Sequence, residues 1–127
     1  MRNVSLRLKA ARSVFLSSSA LFLLWGAAGH AADFQWTGAE STDWYTANNW
    51  LENGAATTNT PKTGDNVTIN TTANAPVLPT DRGTEYVSTF VIGDTATGRV
   101  TSNATINGER TRLGASAGSN GTLTLGA

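Results

Sequence analysis

The chain has 127 residues, nine Lys or Arg against nine Asp or Glu, no cysteine and one histidine, His30. This inventory excludes disulfide stapling, a Cys nucleophile and the usual Cys/His zinc sites. The basic residues form no patch outside the first twelve positions, so nucleic acid is not an expected partner.

Residues 1–31 read as a helical secretory signal peptide. Arg2, Arg7, Lys9 and Arg12 make a basic start, and an apolar run follows from Val14 to Ala28. Gly29-His30-Ala31 puts small residues where a signal peptidase reads, which predicts cleavage after Ala31. Ser17, Ser18 and Ser19 interrupt the apolar run, leaving it shorter than the ~20 residues a spanning helix needs. The mature part, 32–127, loses the only histidine and keeps five basic against nine acidic residues, a net charge of minus four.

An aromatic entry comes next. Phe34, Trp36, Trp44, Tyr45 and Trp50 fall within seventeen residues of an otherwise small and polar sequence. Each buries on the order of 150–250 Å², so this segment carries much of the apolar area. Two roles compete for Trp36, Trp44 and Trp50: an N-terminal cap over the open end of a β stack, or a platform on which sugar rings stack.

Asn53-Gly54 and Pro61 mark a loop, and Gly64-Asp65 a turn that Asp65 closes through its own backbone. Asn66–Asn70 alternates and predicts a strand with Val67 and Ile69 inward. Pro76-Val77-Leu78-Pro79 fits a corner or a sheet edge. Thr84–Ile92 is the next strand, with Val87, Phe90 and Ile92 apolar but not in clean alternation. Val100, Ala104 and Ile106 supply inward positions, Asn107-Gly108 predicts a sharp turn, and Gly121–Gly126 is the cleanest alternating strand.

One phrase occurs twice. Val91-Ile92-Gly93 precedes Gly98-Arg99-Val100-Thr101, and Arg112-Leu113-Gly114 precedes Gly121-Thr122-Leu123-Thr124. Glycine-punctuated strands repeating at this period predict an all-β solenoid of right-handed parallel β-helix type, in which each turn stacks on the last. The alternative is a small β-sandwich of antiparallel hairpins. A solenoid needs a cap at each end, so a clean strand just before Ala127 suggests the beginning of a longer protein.

The order of these features resembles the start of a passenger domain of bacterial autotransporters, the surface adhesins of Gram-negative outer membranes. The residues that carry the resemblance are Trp36-Thr37-Gly38, Asp43-Trp44, Asn48-Asn49-Trp50, Pro61, Gly64–Ile69 and the Gly-Thr-Leu repeats. The resemblance implies a β-helix carried to the cell surface by a C-terminal outer-membrane β-barrel, which needs many tilted strands of about ten residues; this sequence holds neither the translocator nor most of a passenger. The expected function is a non-enzymatic adhesin or stalk facing a host or neighbouring cell, exported to the surface or outer membrane in full-length form and to the periplasm or medium as this length. A carbohydrate-active or sugar-binding β-domain is the alternative. Glycoside hydrolysis would need two carboxylates on one face, and Asp65, Asp81, Glu85, Asp94 and Glu109 stand singly among turns. No cofactor, metal or catalytic residue is expected. A chain of residues 32–127 is expected to be marginally stable and to associate through its C-terminal edge; a sharp, concentration-independent melting transition of a monomer would contradict this.

Overall fold

The computed structural model describes residues 30–126; of the leader expected over 1–31, residues 1–29 lie outside the described residues. The rest is all-β. Among the described residues nine strands form: β1 Asp33–Trp36, β2 Trp50–Glu52, β3 Ala55–Ala56, β4 Asn66–Ile69, β5 Val77–Leu78, β6 Thr84–Ile92, β7 Thr97–Ser102, β8 Thr105–Leu113 and β9 Asn120–Leu125. They make a six-stranded sheet in the order β3-β2-β1-β4-β6-β8 and a three-stranded sheet in the order β5-β7-β9.

From β4 onward the chain passes from the larger sheet to the smaller and returns one strand further along. The pairs β1–β4, β4–β6, β6–β8, β5–β7 and β7–β9 are all parallel. Among the described strands, only β1–β2 and β2–β3 pair antiparallel. The hairpin pattern of a sandwich is therefore confined to the first end. Both copies of the repeated phrase meet in register, Ile92 opposite Leu113 and Gly98 opposite Gly121.

Because the pairing is in register, side chains line up in columns whose successive members are about 4.8 Å apart. One inward column is Phe34, Val67 and Phe90; another is Trp36, Ile69 and Ile92. All six are buried, joined by Leu78 and Val100 from the smaller sheet. The columns continue to Thr111 and Leu113 in β8, where cover ends: Leu113 is 52% exposed, and Leu125 in β9 is 74% exposed.

Two sequence expectations change. Asn107-Gly108 makes no turn, because β8 runs straight through it and Gly108 lies opposite Val87. The broken alternation in β6 has a cause at Ser88. Its neighbours Val87 and Thr89 pair with Gly108 and Arg110, while the Ser88 N–H turns to the Asp65 carbonyl. Thr84–Val87 pairs with β8 alone, whereas Thr89–Ile92 lies between β4 and β8.

The corner between the sheets explains the glycines. The Gly93 N–H donates to the Ile69 carbonyl at 2.8 Å, and Gly114 does the same to Ile92 at 3.0 Å. Gly98 and Gly121 lie against those same two carbonyls, so a Cβ added at either would fall on the oxygen. Since the obstacle is backbone, Gly98→Ala is expected to destabilise the fold by about 3 kcal/mol or more. Gly54→Ala, with open space beside it but φ +80°, is expected to cost only about 1 kcal/mol. Urea midpoints of the two variants check the contrast.

Candidate functional site

The aromatic side chains of the entry pack on one another. The Trp50 ring lies 4.8 Å from Trp36 and 4.7 Å from Trp44, edge-on to both, with Phe34 edge-on at 6.1 Å. Trp44 in turn meets Phe90 edge-on at 6.1 Å. Such pairs add about 0.5–1.5 kcal/mol each beyond area burial. Trp36, Trp44 and Trp50 are each 1% exposed. None of the three rings presents an exposed face. Trp50 Nε1 donates to the Trp44 carbonyl at 2.8 Å and Trp36 Nε1 to the Asn74 carbonyl at 3.1 Å. Trp44 Nε1 is buried with no acceptor among the described residues.

Asn49 holds this end together, a role that sequence reading missed. It is fully buried. Its Oδ1 accepts the N–H groups of Glu40 and Ser41 at 2.8 and 2.9 Å, and its Nδ2 donates to Ser41 Oγ and the Asp43 carbonyl, both at 3.0 Å. Its own carbonyl accepts from the Thr37 N–H and hydroxyl. One amide thereby ties the loop after β1 to the entry of β2. The adjacent Asn48 is exposed. Nothing in the sequence separates the two, because both sit in a polar run before Trp50.

Two carboxylates tie local backbone and side-chain groups. Asp65 Oδ2 accepts the Lys62 N–H at 2.8 Å, which closes the turn before β4. Its Oδ1 accepts the Ala32 N–H at 3.0 Å. Glu52 Oε2 accepts from Thr57 Oγ1 and Asn59 Nδ2 at 2.7 and 2.9 Å, and these bonds hold its carboxyl below the usual carboxylate range. Asp65 and Glu52 border one open depression, and Asp33 and Asp94 border another. Glu85 accepts the Tyr45 hydroxyl proton, while the Arg82 guanidinium sits 4.8 Å above the Tyr45 ring. Partial burial and the Glu85 carboxylate push the Tyr45 phenol well above its ordinary value. Among the described residues, no group of three or more His, Cys, Asp or Glu could hold a metal ion. Ala31, the expected cleavage position, is exposed, one residue before the half-buried Ala32.

Compared with known family models, curated proteins and solved structures, the chain has no match.

The Asn49 network makes a specific forecast. In Asn49→Asp, the two N–H donors keep their acceptor, but a carboxylate oxygen replaces Nδ2 against the Asp43 carbonyl. A buried charge facing an acceptor is expected to cost about 3 kcal/mol. The exposed Asn48→Asp is expected to stay within about 0.5 kcal/mol. Thermal unfolding of both variants measures the difference.

Proposed function

We propose that the chain is the N-terminal portion of an exported bacterial autotransporter passenger, a non-enzymatic stalk or adhesin built as a right-handed parallel β-helix. The observation that carries this reading is the in-register parallel stacking of the two repeated phrases, Ile92-Gly93 beside Leu113-Gly114 and Gly98 beside Gly121. It supports a coil whose turns superpose, with the same corner built twice. The order of elements in the sequence supplies the family: export signal, tryptophan cluster, Gly-Asp strand, then Gly-Thr-Leu repeats. On this reading Trp36, Trp44 and Trp50 form the N-terminal cap, covering core that would otherwise face water. The partners are an outer-membrane β-barrel translocator and, at the surface, a host or neighbouring cell.

The test is export. The full chain is placed ahead of an autotransporter barrel in a Gram-negative cell. The expected result is loss of the leader, with residues after Ala31 labelled by antibody on intact cells. Unprocessed chain retained in the cytoplasm would sink the proposal.

A further inference from the structure

The N-terminal strand begins in an unusual grip. Ala32 is held on both sides by one dipeptide: its N–H donates to Asp65 Oδ1 at 3.0 Å, and its carbonyl accepts the Asn66 N–H at 2.8 Å. The grip sits where β1 starts its parallel register on β4, with Asp33 opposite Asn66. Ala31, immediately before it, is exposed, while Ala32 and Asp65 are half-buried. An Asp here closes its turn with one oxygen, Oδ2 on the Lys62 N–H. The second oxygen reaches 33 residues back to a backbone nitrogen at the boundary between leader and fold.

We propose that Asp65 is the receptor for the α-ammonium that cleavage after Ala31 creates on Ala32. This rests on the export reading above. Hydrolysis of the Ala31–Ala32 peptide bond adds water across it: the Ala31 carbonyl becomes a carboxylate, and the Ala32 nitrogen becomes an amine that takes up a proton. The neutral N–H···O bond to Asp65 Oδ1 then becomes a charge-assisted one, about twice as strong as a neutral bond. Processing thereby completes a site the fold already holds, and the first residue of the mature chain is fixed where the sheet begins.

The surroundings favour a cation. Glu52, from β2, borders the same depression as Ala32 and Asp65. The adjoining Asp33 carboxylate takes the Asn66 amide. Lys62 is the competing cation on that rim, and it meets Asp65 through its backbone N–H. From β6 the approaching group is the uncharged Ser88, whose N–H goes to the Asp65 carbonyl; Tyr86 and Glu109 lie beyond it, across Thr63-Gly64. His30 leaves with the leader.

A partnered ammonium titrates higher folded than unfolded. Its contribution is therefore fully present below the unfolded value, and it is lost as pH rises through the raised folded value. The experiment uses protein exported from the full chain. Sequencing its N terminus first establishes whether Ala32 leads; a different first residue overturns the export reading at that position, and this proposal with it. With Ala32 leading, acetylation of the α-amine near neutral pH is expected to run about five- to tenfold more slowly than in an unfolded peptide of the same first residues. Tm is expected to fall between about pH 7 and pH 10 in the native protein and to stay flatter in Asp65→Asn. Equal acetylation rates overturn the proposal even if Asp65→Asn fails to fold, and so do equal Tm slopes where it folds.

Discussion

The carbonyl of Ile69 is the point on which the architecture turns. It takes the Gly93 N–H at 2.8 Å while Gly98 lies against it, so the end of one strand and the start of the next are fixed by a single acceptor. Ile92 repeats the arrangement with Gly114 and Gly121. A corner this tight admits no side chain at the second glycine. It locks the passage from the larger sheet to the smaller, and so it also locks the lateral register of both. A one-residue slip would turn every inward side chain outward. The columns Phe34-Val67-Phe90 and Trp36-Ile69-Ile92 therefore depend on backbone contacts at the corner as much as on their own packing.

Much of this was legible because parallel in-register pairing writes itself into the sequence as a period. Val67 and Ile69 alternate inward as the pattern implies, and the spacing of the two glycine phrases equals the offset of their paired strands. The failures share a cause. Asn107-Gly108 is a strong local turn signal, but turn chemistry acts only where the chain must reverse, and here β8 continues alongside β6 to Leu113. The gap in alternation at Ser88 was visible, yet its meaning needed Asp65, 23 residues away, to receive the displaced N–H. Asn49 was invisible as a site for a similar reason. Its partners at Glu40, Ser41 and Asp43 are specified by the path of the loop, and no residue type announces an amide that will be buried.

The chain divides its apolar area unevenly, and this answers the lack of cysteine. Four large aromatics, Phe34, Trp36, Trp44 and Trp50, pack edge-to-face at one end, whereas the inward positions of β8 are Thr111 and the half-exposed Leu113. A small β-domain can gain stability from disulfides. Here the equivalent constraint is concentrated in the aromatic cluster and the Asn49 network, which tie β1, β2 and the start of the second sheet together. The Asp43–Val77 bridge and the Trp44 N–H to the Val77 carbonyl carry that tie onto β5.

What is left free to vary is the outside. The outward columns run Asp33, Asn66, Thr89, Arg110 and Gln35, Thr68, Val91, Arg112 along the larger sheet, passing from acidic and amide groups at the aromatic end to arginines at the other. On the smaller sheet, Arg99 faces Thr122, and Thr101 faces Thr124. None of these residues enters the corner or the core, so the fold sets their spacing and leaves their chemistry open. Register on this surface is thus set apart from the identity of its outward side chains. The two glycines and the inward columns hold the register, so the outward side chains repeat at a fixed spacing whatever their identity.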